Sequence, residues 1–318
     1  MFKIAVQTGI DFTITMSSET TGTVHFKVGS KIYKTWYKVL GDLDCGKVPL
    51  VTLHGGPGFT HEYMLVHKEV TETSGIPVVF YDQLGNGQST HLNDAPKDFW
   101  TPELFMDELD NLLAKLGIAN HFDLLGQSWG GAHNFMLTLI IRVIAFAGML
   151  AGQYAATRSS KGLRRLIILN APASMELYQK GVDSLLDKFP PEFVAMLRKH
   201  EQEGTTTSKE YQEGTMIFMK KHVCTLDQWP ADVVTSFKAY MENPTVYNAM
   251  QGPSEFRVTG NLKTWSIIDI LHKIVYPTLY IGSPQDEVQE VAVMPSHLGM
   301  YEEKDRYLRT LKGFLEAS

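Results

Sequence analysis

Gly126-Gln127-Ser128-Trp129-Gly130-Gly131 follows directly on the apolar run Phe122-Asp123-Leu124-Leu125. A G-x-S-x-G sequence at the end of a strand is the pattern of a nucleophile elbow. Its glycines let the backbone turn sharply and leave the serine hydroxyl exposed above a sheet. The chemistry would be acyl transfer with Ser128 as nucleophile. Three fixed positions are a weak signal, and an isolated match is more often a glycine-rich loop with a solvated serine. The partners of Ser128 therefore decide the matter.

Two kinds of partner are present. His54-Gly55-Gly56-Pro57-Gly58 follows the run Val51–Leu53. Successive glycines at a strand end can aim backbone N–H groups at a developing oxyanion, with Gly56 as one donor and Trp129, the residue after the serine, as the other. His54 itself reads as a satisfied loop histidine, not a proton carrier. A serine nucleophile also needs a base and an acid that orients it, in the chain order Ser, Asp/Glu, His. Asp286 lies just beyond the run Pro277–Ile281, and His297 lies in Pro295-Ser296-His297-Leu298-Gly299, ahead of a closing helix from about Tyr301 to Leu315. Taken singly, each is more often a surface residue; order and context join them. His272 is the rival base, but it precedes the strand and sits in a helical pattern. Tyr81–Ser89 reads as a turn that buttresses the site, since no Gly-Lys-Ser/Thr accompanies it as in a phosphate loop.

These residues need a frame. Thr23 to Leu40 alternates around Gly29-Ser30 as a β-hairpin does. Val48–Leu53, Pro77–Tyr81, Phe122–Leu125, Arg165–Leu169 and Pro277–Ile281 read as short strands. Helical patterns lie between them, such as Pro102–Leu116, with Pro near its start and Gly117 after its end. Strands alternating with helices imply a mostly parallel α/β sheet with chemistry at the carboxyl ends of its strands. From Ala171 to Leu262 the strand signal disappears, and the aromatic anchors Tyr178, Tyr211, Trp229 and Tyr247 and the polar loop Gly204–Ser208 point to a mainly helical cap. The expected organisation is an extension over 1–22, a core over 23–170 and 263–318, and a cap over 171–262.

Composition narrows the function. The 318 residues are 44% hydrophobic and 20% charged with a net charge of -6, ordinary for a soluble globular protein. Without a basic block, nucleic acid and anionic membrane are not expected partners. Two cysteines, Cys45 and Cys224, exclude a disulfide framework and suggest a reducing, cytoplasmic setting. No zinc-type cysteine/histidine spacing occurs, and neither a metal nor an organic cofactor is implied. Met1 to Thr15 lacks the parts of a signal peptide, and Met16-Ser17-Ser18 resembles an alternative start. Phe135 to Gly152 is nearly all apolar, but Arg142 in its middle and its marginal length argue against a membrane span.

On His54–Gly58, Tyr81–Ser89, Gly126–Gly131, Asn243-Pro244-Thr245-Val246-Tyr247 and Gly252-Pro253-Ser254-Glu255-Phe256, the chain resembles the prolyl aminopeptidase (proline iminopeptidase) family from Thr23 to Leu315. The Gly-Pro-Ser-Glu-Phe segment is the most discriminating, because generic esterases of the fold lack it. The resemblance implies an α/β-hydrolase fold with an inserted helical cap, and a serine exopeptidase that releases an N-terminal residue, preferentially proline, from short peptides. It places Glu255 and Glu287 on the substrate's amino terminus, where a carboxylate pair makes charge-assisted hydrogen bonds. Without the motif, Glu255 reads as a solvated carboxylate. An amidase or esterase acting on amino-acid derivatives and a catalytically silent hydrolase-fold protein are the alternatives.

The sequence departs from the family pattern twice. Residues 132–148 interrupt the elbow and the helix that resumes at Met149, and read as an insertion, consistent with a translated intron. Eleven positions separate Asp286 from His297, too few for the helix and further strand expected between acid and base, which together take roughly seventeen residues.

Overall fold

The computed structural model describes residues 18–128, 149–158, 160–282 and 297–317. Trp129, Asp286, Glu287, the insertion over 132–148 and most of the apolar run from Phe135 lie outside the described residues.

The hairpin forms as β1 (Glu19–Val28) and β2 (Lys31–Leu40), beginning four residues earlier than the alternation from Thr23 suggests. Its turn is placed by Gly29, at φ 60°, a conformation open to glycine. β3 (Leu50–Leu53), α1 (Lys68–Ser74), β4 (Val78–Asp82), α2 (Pro102–Lys115), β5 (Phe122–Gln127), α3 (Met149–Thr157) and β6 (Leu163–Leu169) follow. α2 starts where Thr101 accepts the Leu104 N–H with Pro at the first helical position, and Gly117 follows its end at φ 73°.

Between β6 and β7 (Thr278–Ile281) five helices intervene: α4 (Met175–Leu186), α5 (Pro191–Glu203), α6 (Lys209–His222), α7 (Ala231–Glu242) and α8 (Thr245–Met250). Ser174 and Ser208 cap α4 and α6 through their side chains. The two ends of this cap are tied together: Met175 N–H donates to Trp265 O at 3.0 Å and Ile267 N–H to Ala173 O at 3.0 Å. The closing helix is divided at Glu303 into α9 (Gly299–Glu302) and α10 (Lys304–Glu316).

The sheet order is β1-β2-β4-β3-β5-β6-β7. β2 runs antiparallel to both its neighbours, β1 and β4, and the pairings from β4 through β3, β5 and β6 to β7 are parallel. β3, β4 and β5 are buried along their whole length, as strands covered on both faces must be. Their continuous apolar runs follow from that double coverage. Among the described residues β7 is the sheet's edge.

Glu108 on α2 is fully buried and ties this scaffold to the turn after β4. Its two carboxylate oxygens accept the Leu84 N–H at 3.0 and 2.9 Å, and one also accepts the Thr35 hydroxyl at 2.5 Å. Burial pushes its pKa up to about 7, against the pull of those donors. An acid whose folded pKa exceeds its ordinary value favours the fold while protonated. That contribution is lost as pH rises from about 4.5 through about 7, because the unfolded chain releases its proton first. Glu108→Gln should flatten this part of the stability profile. Chemical denaturation at pH 5 and 7.5 checks it: an unchanged difference between the two pH values would acquit Glu108.

Candidate active site

β5 carries Ser128 at its end. The residue sits at φ 55°, a left-handed conformation costly for a side-chain-bearing residue, and its N–H donates to Leu169 O at 3.1 Å. The loop after β3 closes on this turn. A Cβ added at Gly55 would stand 2.6 Å from Gln127 O and 3.0 Å from Ser128 Cβ, so the approach requires glycine. Gly56 has φ 121° and its own Cβ would stand 2.5 Å from Gly58 N.

His54 behaves as the loop reading expected. Its Nε2 accepts the Gln83 N–H at 2.9 Å, its carbonyl accepts Gln83 Nε2 at 2.8 Å, and burial lowers its pKa, so the ring stays neutral. The turn over Tyr81–Ser89 is a support. Asp82 accepts both the backbone N–H and Nδ1 of His61 at 2.9 Å, and the Gln88 N–H at 2.9 Å. Burial would raise the Asp82 pKa, but the His61 hydrogen bond and the electrostatic pull of the His61 and His54 rings hold it below the ordinary value. His61, Glu62 and Asp82 approach to within 4.8 Å of one another, the one potential metal-ligand group among the described residues. Both Asp82 oxygens are committed to those N–H donors.

His297 arrives from the other side. Its carbonyl accepts Asn170 Nδ2 at 2.7 Å and Gln127 Nε2 at 3.3 Å, and its imidazole Nε2 lies 3.2 Å from Gln127 Nε2. Its N–H donates to His222 O at 3.3 Å, and the Leu298 N–H to Val223 O at 2.8 Å, at the end of α6. His272, the rival base, is exposed on a short 3-10 turn.

Glu255 comes from the cap. The Tyr247 hydroxyl donates to its Oε2 at 2.5 Å, and the Tyr178 hydroxyl to its carbonyl at 2.5 Å. Burial raises its pKa, while the Tyr247 bond and the charge of His297 oppose the rise. Gly56, Ser128, His297 and Glu255 thus line one cavity, bounded on the cap side by apolar residues such as Val233 and Phe237. Tyr63 lines it too and was not singled out from sequence. Its hydroxyl accepts the Gly55 N–H and donates to Gln127 Oε1 at 2.8 Å.

Known proteins resemble this chain over most of its length. The proline iminopeptidase of Thermoplasma volcanium is 33% identical over 286 residues, 85% of this chain and 89% of the relative. This chain belongs to the proline iminopeptidase family. The family's enzyme from Saccharolobus solfataricus is 31% identical over 91% of this chain and 90% of its own length. Among solved structures, the proline iminopeptidase of Mycobacterium smegmatis superposes with a TM-score of 0.76 at 34% identity, covering 92% of this chain and 97% of that one. VinJ superposes with a TM-score of 0.81 at 41% identity, covering 93% and 98%. A profile of the α/β hydrolase fold matches residues 48–141. The fold is therefore that of an α/β hydrolase with a helical cap, and the resemblance read from the motifs holds. No helix among the described residues is long and apolar enough to cross a membrane.

Gly55→Ala tests the closeness of the two loops. The added methyl meets backbone, which cannot rotate away, so hydrolysis should fall by at least about tenfold if the site's geometry tolerates little displacement. Steady-state rates on a proline arylamide check this; a parental rate would show that the loops can separate harmlessly.

Proposed function

We propose that this chain is a serine exopeptidase that releases an N-terminal residue, preferentially proline, from short peptides through an acyl-enzyme. The observation that supports it is the cap carboxylate Glu255 in the same cavity as Ser128 and His297. A carboxylate there adds a requirement that esterase machinery does not need: a cationic group close to the scissile bond.

In this reading Ser128 Oγ attacks the carbonyl of the first residue and His297 takes the hydroxyl proton. Asp286 orients the imidazole. The N–H groups of Gly56 and Trp129 hold the oxyanion as negative charge develops on it. Collapse of the tetrahedral intermediate expels the peptide amine, which receives the proton from His297. Water, deprotonated by the same imidazole, then attacks the ester and frees the first amino acid. Glu255 and Glu287 grip the amino terminus. The protonated ring nitrogen of an N-terminal proline carries two N–H bonds, one for each carboxylate. The fixed distance between grip and nucleophile leaves room for a single residue before the scissile bond, which makes the cleavage an exopeptidase reaction.

A proline arylamide and its N-acetylated counterpart separate this function from an amidase or esterase with the same machinery. Turnover of the free amine should far exceed that of the acetylated compound; equal rates would remove the amino-terminus grip from the account. Glu255→Gln should lower kcat/KM for the free amine by about tenfold to a hundredfold, the range of a charge-assisted hydrogen bond, mainly through KM.

The pH dependence has a sign. Only ionised Glu255 pairs with the ammonium group, and its pKa is raised by burial. KM should therefore climb on the acid side at a higher pH than an ordinary carboxylate would give, and this rise should vanish in Glu255→Gln. A KM profile of the parent that stays flat down to the ordinary carboxylate range would contradict the assignment.

A further inference from the structure

Gln127 occupies the variable position of G-x-S-x-G, yet its side chain is buried and every polar atom of its carboxamide is engaged. Its orientation follows from chemistry. The carbonyl of His297 can only accept, so Nε2 faces it at 3.3 Å and Oε1 is left for the Tyr63 hydroxyl at 2.8 Å. Burial raises the pKa of that hydroxyl, which stays protonated and able to donate. The Tyr63 oxygen in turn accepts the Gly55 N–H, next to the expected oxyanion donor Gly56. One unbroken chain of hydrogen bonds thus runs from the glycine loop through Tyr63 and Gln127 to His297.

The second N–H of the carboxamide points at the imidazole Nε2, 3.2 Å away. That contact requires Nε2 to be an acceptor and leaves the ring proton on Nδ1. This is the tautomer that a base needs if it is to take a proton at Nε2, and because Nε2 has a single lone pair the Gln127 contact must give way when the Ser128 proton arrives. We propose that Gln127, held by Tyr63, is a positioning residue that fixes both the place and the tautomer of the His297 imidazole beside Ser128. The chain also joins the oxyanion loop to the base, so displacement of one is felt by the other.

The proposal rests on Ser128 and His297 as nucleophile and base, but not on the identity of the substrate. Its test therefore uses a fluorophosphonate, which phosphonylates an activated serine whatever peptide the enzyme prefers. The full-length chain is compared with Gln127→Met, Tyr63→Phe and the double variant, measuring the maximal inactivation rate and the half-saturating probe concentration separately. Gln127→Met should slow the maximal rate by about tenfold to a hundredfold, with the half-saturating concentration unchanged within about twofold. Tyr63→Phe should act in the same direction, and the double variant should be no slower than Gln127→Met within about twofold, because the two side chains act as one device. A purely structural role would instead lower the melting temperature while leaving the maximal rate of folded enzyme intact. That result overturns the proposal, as would multiplicative effects or a parent enzyme that is not labelled at all. If Gln127→Met fails to fold, Tyr63→Phe decides alone, since it removes a single oxygen: a parental rate overturns the proposal. A parent that is labelled but leaves proline arylamides untouched would refute the peptidase function and leave this test standing.

Discussion

The left-handed turn at Ser128 is the constraint on which the site depends. A side-chain-bearing residue at φ 55° carries a cost of roughly 1–3 kcal/mol and persists only when its surroundings over-determine it. Here β5 is paired on both sides, to β3 and to β6, so the strand cannot slide or twist to relieve the turn. The Ser128 N–H is fixed on Leu169 O, and the glycine loop packs against the serine Cβ. A parallel sheet buried on both faces supplies this rigidity, and the same sheet register delivers the other groups. The end of β3 brings Gly55 and Gly56, and the end of β6 brings Asn170.

The cap is joined to this turn by specific bonds as well as apolar contact. Ser236 on α7 accepts the Tyr63 N–H and the Thr60 hydroxyl at 3.1 Å, and donates to Thr60 O at 3.2 Å. Beside it, Phe59 stacks on Tyr240 at 5.2 Å and meets Phe237 edge-on at 4.9 Å, while Tyr240 reaches Tyr247 at 4.7 Å. Tyr247 is the donor to Glu255. The element that presents the carboxylate is therefore packed against the segment that follows the glycine loop after β3. Tyr63 makes bonds in three directions, since its carbonyl also accepts the Tyr301 hydroxyl at 2.9 Å. Core, cap and closing segment meet at one residue.

How much of this was legible in the sequence depends on the range of each interaction. The elbow could be read because its constraint is local: glycines beside a serine after an apolar run. The strands could be read because double burial leaves continuous apolar runs, and the cap because that signal stops. His54 reads as a loop histidine from sequence and is one, since a residue opening a glycine turn has backbone groups close by to satisfy it. The division of the closing helix at Glu303 was missed, as its turn carries neither Gly nor Pro. Tyr63, Asn170 and the side chain of Gln127 were missed for a different reason. Their bonds join residues 64, 127 and 170 positions apart, and no periodicity or motif encodes such a separation.

The place of His297 in the cavity does not follow from the count of positions that separates it from Asp286. Counting along the chain treats His297 as hanging from the strand that precedes it, so eleven positions appear too few to deliver it. Its backbone, however, is held from elsewhere: by Asn170 and Gln127 on its carbonyl, and by the His222 and Val223 carbonyls on its own and the following N–H. These anchors belong to β6, β5 and the end of α6, none of which lies in the shortened stretch. A histidine fixed by its own peptide groups keeps its place whatever the length of the connection before it. The position of the imidazole is therefore governed by the sheet and by the end of α6. The imidazole of His297 thus keeps its place in the cavity that Ser128 lines through groups distant from it in sequence.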